Sequence, residues 1–196
     1  MDSLPIPLRL LAAVVSSSLL VQAADIPDGQ IIIDPDHPQW LKRQGGDHFF
    51  ICGPGDPEGF LYLGERQPDG TRKGPQDSMI RKMVRFGGNC IYMQVVRTHG
   101  GDAIKDDDKY TQNPFVDSDP SKGIDEDILN QWEEWFTHMD RNGMVIYLFL
   151  YDDGAKIWDT GDEVGPEEKA FVTQLVKRCR HQKNLIWNIG EESEEA

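Results

Sequence analysis

Residues 144–151 read MVIYLFLY, eight apolar residues without interruption. A strand with one wet face alternates apolar and polar residues, so this run describes a strand covered on both faces. Such strands belong to parallel sheets, whose crossover helices cover the faces. Just ahead, Asn142-Gly143 is a helix stop. Before that stop, Ile128, Leu129, Trp132, Trp135, Phe136 and Met139 recur at helical spacing, with Asp125 as N-cap.

Working outward, the same unit repeats. His48-Phe49-Phe50-Ile51-Cys52 is a short apolar run closed by Gly53-Pro54-Gly55, and Cys90 to Val96 is a nearly unbroken apolar strand. Between them Met79, Ile80, Met83 and Val84 predict a helix over Gln76 to Phe86, ended by Gly87-Gly88. After the central run, Gly165-Pro166-Glu167-Glu168 opens a helix with proline and acids in its first turn. Phe171, Val172, Leu175, Val176 and Cys179 form its stripe, and Leu185 to Ile189 is a fourth strand. Four strands alternating with three helices predict a parallel sheet with right-handed crossovers. Two closures fit this order: an open doubly wound sheet or a (β/α)8 barrel.

The connections favour function at one end of the sheet. Long polar stretches follow the second and third strands, whereas the helices return through short turns. Both closures place their chemistry at the carboxyl ends of the strands. A complete barrel takes about 250 residues, so only half of one fits in 196.

Composition narrows the partners. The formal charge of −14 repels phosphate backbones, so nucleic acid is not expected. Leu10 to Val21, preceded by Arg9 and followed by Val21-Gln22-Ala23, has the form of a secretory signal cleaved after Ala23. The expected destination is outside the cell or in the periplasm, and no later run approaches the ~20 apolar residues of a membrane span. Cys52, Cys90 and Cys179 are an odd number, and their apolar surroundings predict buried free thiols.

Several motifs dissolve on inspection. Gly53 to Gly59 lacks dinucleotide-loop spacing, and no GxxxxGK[ST] sequence exists. Asp117 to Gly123 starts like a calcium loop, yet Lys122 and Ile128 hold the positions that need glycine and a bidentate acid. No metal and no cofactor is expected. The strand ends are richer: Arg97 and His99 after the second, Tyr151, Asp152 and Asp153 after the third, Glu191 and Glu192 after the fourth. Cations, hydroxyls and carboxylates gathered there suit recognition of sugar hydroxyls. A glutamate near Trp187 could also serve as a general acid, and the residues alone leave Glu191 and Glu192 equal.

In order and spacing, HFFICGPGDPEGFLY (48–62), GGNCIYMQVVRTHGG (87–101), RNGMVIYLFLYDD (141–153) and KNLIWNIGEE (183–192) resemble the first four strands of exported clan-A (β/α)8 glycoside hydrolases. The look is nearest to cellulase-like and apiosidase-like families. The resemblance covers about residues 30–196 and implies a TIM barrel of which only the first four strands, a half-barrel, are present. It matches Trp187 to the start of a Trp-x-x-x-Asn-Glu pattern, so Glu192 falls at the acid/base. Glu191 then stands where the family has an asparagine, and a carboxylate there would have to accept rather than donate. Asp56, Arg97, His99, Tyr151, Asp152, Asp153 and Trp187 become candidate sugar contacts. The family nucleophile, a second glutamate after strand seven, has no counterpart, so the isolated chain is expected not to turn over. Retaining chemistry needs two carboxyl groups about 5 Å apart. Two rival readings remain: a sugar-binding half-barrel pairing through its open strand edges, and a small α/β hydrolase, which would want a GxSxG elbow that is absent.

Overall fold

The computed structural model describes residues 29–54, 58–97, 112–152, 155, 157–161 and 163–190. The expected signal segment lies outside them. The chain opens with a small antiparallel sheet, β1 (Ile31–Ile33), β2 (Leu41–Arg43) and β3 (His48–Phe49). A short helical turn at Phe60–Tyr62 precedes the two-stranded hairpin β4 (Glu65–Arg66) and β5 (Arg72–Lys73). Helix α1 (Gln76–Arg85) then leads into β6 (Cys90–Val96), α2 (Glu126–Arg141), β7 (Val145–Tyr151), α3 (Pro166–Cys179) and β8 (Leu185–Gly190).

β6, β7 and β8 form one parallel sheet in that order, with Ile91 beside Ile146 and Leu148 beside Trp187. This sheet has three strands rather than the four expected. His48–Cys52 does not become its first member: only His48 and Phe49 are extended, and they pair antiparallel with β2. The chain then leaves that sheet with Phe50 76% exposed. The Cys52 carbonyl accepts from the backbone N–H of Asn89 and Cys90, so the segment approaches the start of β6 without a ladder. Residues 29–47, which carried no strand signal, supply β1 and β2.

The helices follow their local chemistry closely. The Asp125 side chain accepts from the Asp127 N–H at 2.9 Å, with Glu126 and Asp127 in the first turn and Arg141 in the last. Gly143, at φ 73°, makes the left-handed exit that α2 needs before β7. Pro166 opens α3 where its missing N–H is harmless.

The core lies between the parallel sheet and the helices. Ile91, Met93 and Val95 of β6, and Ile146, Leu148 and Leu150 of β7, meet Trp132, Phe136, Met139, Phe171 and Leu175. Each such side chain contributes roughly 1.5–3 kcal/mol on burial. Cys90 and Cys179 are buried free thiols, and burial pushes them up to about 11 and about 12. Cys52 is also free but exposed, because its segment never joins the sheet. Among the described residues, no helix is long and apolar enough to cross a membrane.

Candidate functional site

The carboxyl ends of β6 and β7 carry a buried polar layer: Gln94, Arg97, Gln112, Asn113 and Asp152. Local backbone contacts fix it. Asp152 donates its N–H to the Val96 carbonyl at 3.0 Å, and Arg97 donates its N–H to the Gln112 carbonyl at 2.8 Å. Arg97 is 2% exposed, an expensive position for a guanidinium without a counter-charge. Glu58 supplies one, with Oε2 3.8 Å from an Arg97 terminal nitrogen, an ion-pair separation longer than a hydrogen bond.

The segment 58–63 is the saddle that holds this layer. Gln76 on α1 donates to the Phe60 and Leu63 carbonyls at 3.1 and 3.0 Å, fixing the short helical turn. From that turn Tyr62 donates its hydroxyl to the Val95 carbonyl, and its ring packs edge-on against Trp132 at 5.9 Å. Burial pushes the Tyr62 hydroxyl above its ordinary range. Arg72 and Arg97 oppose that shift, and Asp152 adds to it.

The two faces of the sheet do different work. Tyr92, Tyr147 and Phe149 turn away from the helices and pack as an aromatic row, with centroids 5.0 and 4.6 Å apart. Asn188 on β8 donates to the Tyr147 hydroxyl at 2.8 Å, and Tyr92 donates to Glu58 Oε1 at 2.6 Å. This face thus ends in amide, hydroxyl and carboxylate groups, a set that can pair with a hydroxyl-rich ligand.

Of the sequence-derived candidates, Arg97 and Asp152 are both buried, one just past the end of β6 and the other just past β7. Tyr151 is committed elsewhere: its hydroxyl donates to Glu168 on α3 at 2.9 Å and accepts from Trp158 at 3.2 Å. Burial raises its ionisation above the usual phenol range; Trp158 opposes this and Glu168 reinforces it. Trp187 stands in register with Leu148, on the helix-facing side of β8 and away from the aromatic row. Asp56, His99, Asp153, Glu191 and Glu192 lie outside the described residues. Glu58, Tyr62, Tyr92, Tyr147 and Asn188 were not singled out from the sequence. Period-two parity within each strand, Tyr92 with Gln94 and Tyr147 with Phe149, was the signal available for the sheet residues.

Among the described residues, no group of three His, Cys, Asp or Glu side chains converges as a metal site. In the calcium-like stretch, Asp117 pairs with Lys122 at 2.8 Å and Asp119 accepts from Ser121, so both acids serve the local turn.

No family model and no curated protein matches the chain. Solved structures do. A protein from Bacteroides vulgatus assigned as a glycoside hydrolase matches 88% of this chain with TM-score 0.59 at 13% identity. A family 5 glycoside hydrolase from the same organism matches 83% with TM-score 0.55 at 19% identity. The β-mannanase of the blue mussel Mytilus edulis matches 83% with TM-score 0.51 at 15% identity. Identities this low establish likeness of fold. The chain spans 34%, 33% and 45% of those three proteins respectively, so it corresponds to a part of each.

Proposed function

We propose that this chain is the amino-terminal half of an exported (β/α)8 glycoside hydrolase that cleaves O-glycosidic bonds in an oligo- or polysaccharide. Its carrying observation is the conjunction of a glycoside-hydrolase-like fold with a polar cluster at the carboxyl ends of parallel strands. Enzymes of this architecture hold their catalytic groups at that end. In the proposed mechanism Glu192 protonates the leaving glycosidic oxygen as general acid. Glu191 takes the place that the resembled family gives to asparagine. The completing half supplies the second carboxylate.

The test is a polypeptide in which this chain is completed, assayed on aryl glycosides and on β-1,4-linked glucan and mannan. Glu192→Gln should lower kcat by about 10²–10⁴ on substrates with poor leaving groups, and far less on activated aryl glycosides. The isolated chain should be inactive on all of them. Full activity in Glu192→Gln would remove Glu192 from the mechanism. Amino-terminal sequencing of exported protein should find Ala24 first.

One observation favours a second reading, a non-catalytic sugar-binding half-barrel that pairs with itself. Trp187 and Ile189 are 37% and 75% exposed at the sheet edge, where their β7 counterparts are covered. Sedimentation separates the readings, since self-pairing predicts a dimer of the isolated chain.

A further inference from the structure

Arg97 was the cation expected to touch a sugar, and it is 2% exposed. The group that can reach outward is its partner. The Glu58 side chain is 21% exposed, while its carboxylate and its backbone are tied to β6 and to Arg97 just past its end. Oε1 accepts from Tyr92 at 2.6 Å, Oε2 faces Arg97 at 3.8 Å, and the Glu58 carbonyl accepts from the Gln94 N–H at 3.2 Å. Next in the chain, Gly59 lies beneath the guanidinium: a Cβ there would come within 2.4 Å of an Arg97 terminal nitrogen. Two contacts from β6, an ion pair to Arg97 just past its end and one missing side chain therefore fix the orientation of a single, partly exposed carboxylate.

We infer that Glu58 is a specificity-determining residue, the carboxylate that accepts a hydrogen bond from a ligand hydroxyl. Arg97 and Tyr92 are the positioning residues that aim it. An oriented carboxylate beside aromatic rings discriminates hydroxyl-bearing ligands strongly, because an analogue lacking the hydroxyl leaves the acceptor unmatched. Arg97 and Tyr92 hold Glu58 in place, so the hydroxyl meets an acceptor that loses little freedom on binding. The identity of the ligand rests on the carbohydrate reading; the Glu58–Arg97 unit does not.

The experiment therefore has two arms on the isolated chain. In the first, proton exchange of the Arg97 guanidinium is followed by nitrogen-15 NMR. Glu58→Gln keeps the side-chain shape and removes the charge, so exchange should quicken by about tenfold. Tyr92→Phe deletes one hydroxyl and should quicken it less, which guards against a Gln variant that fails to fold. In the second, cellohexaose and mannohexaose are titrated against wild type and Glu58→Gln, following the Glu58 and Tyr92 amides. Affinity for the sugar that binds should fall by about tenfold in the variant. Equal affinity of wild type and variant overturns the inference. Failure of both sugars to bind wild type removes the ligand role along with the carbohydrate reading. The exchange arm still decides the unit, and unchanged Arg97 exchange in Glu58→Gln breaks it outright.

Discussion

The parallel sheet and the antiparallel sheet at the chain's start are held by different forces. β6 and β7 sit in an apolar core in which Ile91, Met93, Val95, Ile146 and Leu148 are all 0% exposed. β1 to β3 have little to bury, and Ile33 is 63% exposed. Their cohesion is polar. Buried Asp34 holds His48 and Lys42, Arg43 reaches Asp140 on α2 at 2.6 Å, and the Ile31 N–H donates to the Lys183 carbonyl at 3.1 Å. Those contacts fall at the amino end of β8 and the last turn of α2, away from the candidate site. Burial therefore builds the platform, and charge pins a cover to its far end.

The largest effect should come from the platform. Leu148→Ala at the middle of β7 leaves a cavity between sheet and helices, at a cost of about 2–5 kcal/mol. Urea unfolding should show one cooperative transition moved to lower denaturant. A loss below about 1 kcal/mol would mean that this core is loosely packed, and the contrast with the amino-terminal sheet would dissolve. Breaking the clasp should do less, and do it locally. Asp140→Ala strips a partner from Arg43, whose side chain is 8% exposed, and should cost about 1–3 kcal/mol. Limited proteolysis should then open residues 29–49 while amide exchange in β6 and β7 stays slow. Global unfolding instead would show that the cover and the platform are one cooperative unit.

Acid sharpens the same contrast. The His48 hydrogen bond chiefly holds Asp34 down to about 2, helped by the Asp36 N–H and Lys42 and opposed by burial. Because the folded carboxyl is more acidic than its unfolded counterpart, its stabilisation is complete above the ordinary value of 3.8. It is lost as pH falls through about 2. The amino-terminal sheet should loosen within that window, and Asp34→Asn should abolish the pH dependence there. An unaltered acid profile in Asp34→Asn would assign the transition to other carboxylates.

This division also explains what could be read in advance. Apolar runs and helical stripes are one-dimensional signals of burial, so β6, β7, β8 and all three helices were legible from residues such as Ile146, Trp132 and Leu175. β1 and β2 were not, because strands of three residues tied by charge leave no periodicity. His48–Cys52 misled for a related reason: its apolarity came without the helix cover that a parallel strand needs. At the site, Arg97 and Asp152 were legible as charged residues at strand ends. Glu58 was not, since its role comes from a saddle that folds back over β6 rather than from any motif. Trp187 was placed with the site by its position in the sequence, but side-chain parity turns it toward the helix side.

The smallest effect tests the edge of the platform. Ile189 on β8 is 75% exposed, whereas Leu150 on β7 is 7% exposed on the same helix-facing side. Ile189→Thr keeps β-branching and removes apolar surface already in water, so it should change stability by no more than about 0.5 kcal/mol. The measurement is urea unfolding at two protein concentrations a hundredfold apart. A small, concentration-independent change leaves the β8 face open in the isolated chain. A cost rivalling that of Leu148→Ala, present only at the higher concentration, would mean that copies of the chain already cover this face for one another. The self-pairing reading would then gain over the first, because an exposed isoleucine acquires a large energetic role only when a second surface takes it out of water.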